Sequence, residues 1–166
     1  MASRVTSFVW PESQTDLTYA FDLNFPYSFV PLVVSDFDEW ASGSAYFTFS
    51  RVADIGTSDL KISFQKMNHG DGADFDGPLG TLAHAFSPPD GRLHFDVDET
   101  WSLGPGPVPN VIDFKSVTLH EIGHLLGLHH SQYQDAVMWE SLPLRTVKDK
   151  LTSNDIQGIK VLYGLN

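Results

Sequence analysis

The chain has 166 residues, 42% of them hydrophobic, with 21 Asp and Glu against 10 Lys and Arg and a formal net charge of −11. This length suits one compact domain able to bury its own core, the composition argues against a disordered chain, and the acidic balance argues against nucleic acid or anionic membrane as partner. With no cysteine present, disulfides and thiolate metal sites are excluded, so any metal must be held by carboxylates and by some of the seven histidines.

Apolar runs such as Phe29–Val34 are far too short to cross a bilayer. No basic segment followed by an apolar one opens the chain, so no signal peptide is expected. Leu17–Leu23 alternates and predicts a strand. Val30, Val33, Val34, Phe37, Trp40 and Ala41 recur at helical spacing, predicting a first helix that ends near Gly43. Tyr46–Val52 and Leu60–Phe64 predict further strands. The stretch Asn68–Gly91 is rich in Gly, Asp and Pro, with a short strand expected near Leu82–Phe86 and another around Leu93 and Phe95. Irregular stretches of that length are commonly functional, metal-bound or disordered. A Gly/Pro segment, Gly104–Pro109, precedes a second helix expected from about Asp113 to Leu126. Thr152-Ser-Asn-Asp155 has the form of a capping box opening a last helix that stops at Gly164. No repeat, low-complexity tract or long linker divides the chain. Strands first and helices later predict a single α+β domain.

The chemistry concentrates in His120-Glu-Ile-Gly-His124. On a helix, residues i and i+4 share a face, so both imidazoles can address one ion. A catalytic zinc takes three protein ligands and keeps a position for water. Gly127 can end the helix in a left-handed conformation and turn the chain back so that His130 supplies the third nitrogen. His129 competes for that role and is otherwise expected at the cleft rim or in solvent. Glu121 lies beside the first ligand but cannot point along the same direction. It can accept a proton from a water whose pKa zinc lowers towards about 7, and return it to the departing amine.

Extended to His120-Glu-Ile-Gly-His-Leu-Leu-Gly-Leu-His-His130, the segment resembles the metzincin signature His-Glu-x-x-His-x-x-Gly-x-x-His. Ala136-Val-Met138 lies where that clan places its Met-turn. Ser131 directly after the third histidine resembles the matrixins, the matrix metalloproteinases. The stretches Phe75–Pro88 and Asp90-Gly-Arg92 look most like plant matrixins.

The resemblance runs from about Leu17 to Tyr163. It implies a twisted, mostly parallel five-stranded sheet with three helices and a cleft across the domain. It further implies a structural zinc on His69, Asp71, His84 and His94, four ligands that would leave no open position. A calcium is implied on the side chains of Asp76, Asp96 and Glu99 and the carbonyls of Gly77, Leu79 and Thr81, a set of hard oxygen donors. The stretch between His84 and His94 is shorter than in many animal matrixins, and Arg92 stands where a ligating acid would be. A further calcium is therefore not expected there, and Arg92 is expected to pair with Asp59.

The same resemblance makes the chain a zinc endopeptidase acting on peptide or protein substrates. Leu82 and Ala83 would hydrogen-bond an extended substrate. Val117 and His120 would line a pocket for an apolar residue after the scissile bond (P1′). The pocket wall departs from the common Pro-x-Tyr and reads Glu140-Ser-Leu142. A monomer is expected, extracellular or at the cell surface (the apoplast or cell wall if from a plant), with no Cys-bearing prosegment and no hemopexin-like domain in this chain. Two other readings are a catalytically silent metal-binding module, disfavoured by the intact Glu121, and another metzincin branch, disfavoured by Ser131 and the second metal cluster.

Overall fold

The computed structural model describes residues 8–104 and 111–166. Residues 105–109 of the expected Gly/Pro segment lie outside them. Among the described residues, seven strands and three helices follow in order: β1 (Asp16–Phe21), α1 (Val30–Ser44), β2 (Thr48–Arg51), β3 (Leu60–Gln65), β4 (Ala83–Ala85), β5 (Arg92–Asp96), β6 (Trp101–Ser102), β7 (Ile112–Asp113), α2 (Phe114–Leu125) and α3 (Ser153–Tyr163). The main sheet has the order β2-β1-β3-β5-β4. Its first four strands run parallel, and β4 returns antiparallel to β5 at the edge. This is the mostly parallel α+β architecture expected.

Each boundary has a local cause. Pro31 stands in the first turn of α1, where a missing amide hydrogen costs nothing. That helix runs one residue past Gly43, and Ala45 takes the left-handed position that closes it. Asp113 caps α2 by accepting from the Ser116 amide. Thr152 and Asp155 form the reciprocal capping box that opens α3, and Gly164 ends it at φ 64°. Two short features escaped the alternation pattern, a 3-10 turn at Tyr27–Phe29 and the parallel pair β6–β7.

The core lies between the sheet and α1 and α2. Leu17, Leu60, Ile62, Leu93 and Phe95 face Phe37, Trp40, Phe114, Leu119 and Ile122, all essentially excluded from solvent. The indole of Trp40 donates to the Leu119 carbonyl at 2.8 Å, fixing α1 against α2. The end of α2 is held by groups distant in sequence. Trp10 Nε1 donates to the Leu125 carbonyl (2.9 Å), the Tyr163 hydroxyl donates to the Leu126 carbonyl (2.8 Å), and that hydroxyl accepts from the Trp10 amide (3.2 Å). Helix-terminal carbonyls without such partners would be unsatisfied.

Arg92 does not reach Asp59. Its guanidinium pairs with Asp90 (Nε to Oδ1 2.7 Å, Nη2 to Oδ2 2.9 Å) and lies over the Phe86 ring. Asp59 is already engaged by the Thr18 amide and hydroxyl and by Gln14 Nε2, bonds that tie β1 to the start of β3. The nearer acid across the Gly91 turn therefore wins.

Between α1 and α2, Asp36 is wholly buried, and neither of its oxygens has a hydrogen-bond partner. Lys115 Nζ stands 3.9 Å away. Burial pushes the Asp36 carboxyl well above its ordinary 3.8, with Lys115 opposing and Asp113, Glu39 and Asp149 reinforcing the rise. The folded chain thus holds this proton more tightly than the unfolded chain. Below pH 3.8 both states keep it and no penalty exists; as pH rises past that value the unfolded chain loses it first, and stability falls until the folded-state pKa is passed. Asp36→Asn should therefore stabilise the protein at pH 7 by about 1–3 kcal/mol, with the gain vanishing towards pH 4. Thermal melts of both proteins across that range measure it. A variant that melts lower at pH 7 would show that the Lys115 attraction outweighs burial.

Candidate metal centres and active-site cleft

His120 and His124 lie one turn apart on α2, whose last residue is Leu125. Gly127 follows at φ 91°, a conformation that costs an L-residue energy, and a Cβ there would sit 2.4 Å from the Phe8 carbonyl oxygen. The turn brings His130 back to the helix. His124 Nε2 is 3.0 Å from His120 Nε2 and 3.2 Å from His130 Nε2. The three ligand atoms form one cluster, while His129 is exposed and outside it.

The outer ring nitrogens explain this convergence. His120 Nδ1 donates to the Val137 carbonyl and His124 Nδ1 to the Leu128 carbonyl, both at 2.8 Å. A neutral imidazole that donates from Nδ1 presents a lone pair at Nε2. Lone pairs facing one another at these distances repel unless a cation lies among them, so the donor set fits a zinc ion. Burial pushes both imidazoles towards the neutral form a metal requires. His124 is brought down to about 4, with His120 adding to the effect, and His120 is lowered despite its bond to Val137.

Glu121 is buried on the same helix, and its Oε2 has no hydrogen-bond partner. Burial pushes its carboxyl up to about 8. Beneath the site, Met138 is 2% exposed, and its turn is fixed by Asp155, whose two oxygens accept from the Val137 and Met138 amides at 3.0 Å. Ser131 returns to this turn through its amide bond to the Met138 carbonyl. Gly123 is a further residue of the site that the metal-ligand pattern left unassigned. A Cβ there would meet Met138 Sδ at 2.2 Å and Trp40 Cζ2 at 3.0 Å, so only a bare backbone lets the turn approach.

A cleft of about 550 Å³ opens beside these groups. Gly80, Thr81, Leu82 and Ala83 form one side, His120, Glu121 and Val117 another, and Val137 with Trp139–Leu142 a third. Among the described residues, the edge strand β4 pairs with β5 alone. Leu82 and Ala83 border the cleft, and Val117 lies one turn before His120.

The second histidine set also converges. Asp71 Oδ2 lies 2.8 Å from His69 Nε2, 2.9 Å from His84 Nε2 and 2.8 Å from His94 Nδ1. His84 and His94 face each other across β4 and β5. Burial alone would raise Asp71, but the Ala73 amide and the imidazoles of His84 and His69 outweigh it and hold the carboxyl well below its usual range. Burial lowers His94 to about 4 against the pull of Asp71. Three imidazoles on one carboxylate oxygen fit a closed tetrahedral site.

The acids expected for calcium come near one another without forming so tight a cluster. Asp76, Asp96 and Glu99 fall outside the two ligand groups close enough to share an ion directly. Asp96 Oδ2 and Glu99 Oε1 are nevertheless buried without partners. Burial raises Glu99, the Leu79 amide opposes this, and Asp96 and Asp76 reinforce it. Gly77, Leu79 and Gly80 all have positive φ, so the 76–81 loop is tightly curled, and Thr81 donates its amide to Asp76. Two buried carboxylate oxygens without donors in an acidic loop fit a hard cation.

The fold and the two histidine clusters are those of a metzincin-like domain, and the chain belongs to the matrixin family, whose model matches residues 9–164. It is 44% identical to Metalloendoproteinase 2-MMP of Arabidopsis thaliana, over 95% of this chain and 43% of that protein. It is 43% identical to Metalloendoproteinase 1 of Glycine max, over 95% of this chain and 53% of that one. Karilysin of Tannerella forsythia is 44% identical over 78% of this chain and 27% of its own length. The chain thus spans about half the length of the two plant relatives.

Replacing Gly123 with Ala should destabilise the fold by about 1–3 kcal/mol through overpacking against Met138. Thermal denaturation of the metal-loaded protein checks this. An unchanged melting temperature would show that the Met-turn yields without cost.

Proposed function

We propose that the domain hydrolyses internal peptide bonds of protein substrates, with His120, His124 and His130 holding the catalytic zinc and Glu121 moving the proton. The observation that carries this reading is the set of three Nε2 atoms converging beside a buried, unpartnered carboxylate oxygen in a cleft bordered by a sheet edge. Bound there, zinc supplies Lewis acidity towards both a water molecule and the scissile carbonyl. Glu121 accepts the proton of the attacking water at Oε2 and delivers it to the departing amine nitrogen, serving first as general base and then as general acid.

The substrate main chain lies extended along β4, where Leu82 and Ala83 offer hydrogen-bonding groups at the edge. Val117, Val137 and Leu142 take the apolar stem of the P1′ residue. His69, Asp71, His84 and His94 hold a structural zinc that fastens β4 to the sheet. Asp76, Asp96 and Glu99, with the carbonyls of Gly77, Leu79 and Thr81, bind calcium. The domain works as a single extracellular unit and as a monomer, a setting in which calcium is plentiful.

Glu121→Gln should keep its zinc while cleavage of a fluorogenic peptide falls by about 10²–10⁴-fold. Turnover at the parental rate would reject the proton-transfer role. Elemental analysis of the purified domain should give about two zinc ions per chain, and a reproducible value of one would remove the structural site. Removing calcium with a selective chelator should lower the melting temperature, since an ion bound only by the folded state stabilises it. An unaltered melt would remove the calcium assignment.

A further inference from the structure

We infer that Lys148 is a specificity-determining residue of the cleft, a cationic anchor for a carboxylate or amide oxygen at the tip of the P1′ side chain. The inference rests on the peptidase reading and deepens it. Lys148 lies in the segment between the Met-turn and α3 and lines the cleft with Ser116, Val117, Val137 and Leu142. Its side chain reaches back to the turn, where the ammonium donates to the carbonyls of Gln134 (2.7 Å) and Ala136 (2.5 Å). Its backbone amide donates to Ser116 Oγ at 2.7 Å, tying the wall to α2. The charge is therefore held in a fixed place rather than trailing in solvent.

An ammonium has three hydrogens to donate, and the structure assigns partners to two of them. Lys66, Lys115 and Lys150 each have a carboxylate within ion-pair distance, whereas Lys61 and Lys160, away from the cleft, bond to backbone carbonyls. Lys148, in a chain with twice as many acids as bases, forms no such pair among the described residues. Asp155 and Asp135 act on it only through space, and the carboxylate of Asp155 is engaged by the amides of the Met-turn. Glu140, in the same wall, is exposed. Lys148 is itself only partly exposed, and burial lowers its pKa. A partly desolvated cation with a spare donor and no anion is stabilised by a ligand that brings one. The neighbouring Val117, Val137 and Leu142 suit methylenes. A Glu or Gln side chain satisfies both demands, whereas Leu meets only the apolar one.

The test uses three fluorogenic peptides that differ only in Glu, Gln or Leu at P1′, cleaved by the zinc-loaded parent, Lys148→Met and Lys148→Arg. The ratio of kcat/KM for Glu over Leu should fall about tenfold in Lys148→Met, return in Lys148→Arg, and shrink in the parent as salt rises. Because Lys148→Arg keeps the charge and can still reach the carbonyls, it separates charge from support of the wall. Equal losses on all three peptides in Lys148→Met would overturn the inference while leaving the peptidase reading intact. Failure of the parent to cleave any of them would overturn the peptidase reading itself.

Discussion

The site depends on two hydrogen bonds, those from His120 and His124 Nδ1 to the carbonyls of Val137 and Leu128. They fix the tautomer of each ring and thereby decide that the facing Nε2 atoms carry lone pairs. Most of the surrounding architecture serves to keep those two carbonyls still. Leu128 is presented by the left-handed turn at Gly127. Val137 is held by Asp155, which receives the amides of Val137 and Met138 while its Oδ2 also accepts from the Thr152 amide and hydroxyl. One carboxylate thus both caps α3 and supports the turn beneath the metal centre. This coupling explains why a buried Asp is kept at a helix N-terminus instead of being exposed to water.

The sheet contributes the other half of the cleft. The parallel strands β1, β3 and β5 present a buried, hydrophobic platform beneath the helices, while β2 at the far edge is largely exposed. Among the described residues, β4, antiparallel to β5, forms the sheet edge beside α2. A three-residue edge strand is weak by itself. The cross-strand pair His84–His94, both gathered on Asp71, pins it to β5. The second histidine cluster therefore sits on the same short strand region that borders the cleft.

Much of this was legible in the sequence because the decisive signals are local. The spacing of His120 and His124, the turn glycine, the capping box at Thr152 and the alternation in β1 and β3 depend on nearest neighbours along the chain. The second histidine cluster was legible only through family resemblance, since nothing local links His69 to His94. The remainder depended on distances that no pattern encodes. Asp36 reads as an ordinary surface acid, and only helix packing shows it enclosed. Arg92 chose Asp90 because Asp59 was already saturated. Two-residue strands such as β6 and β7 carry too little alternation to be seen, and Lys148 belongs to no motif.

Trp10 and Tyr163, which brace the carbonyls of Leu125 and Leu126 at the end of α2, also bond to each other across 153 positions of the chain. Contacts that span nearly a whole chain are late to form, because closure of so large a loop must precede them. The helix carrying the imidazoles consequently acquires its full terminal support only once the final helix is in place. Synthesis from the ribosome thus delivers the histidine-bearing helix before its last brace, so that its terminal support waits upon the segment that carries Tyr163.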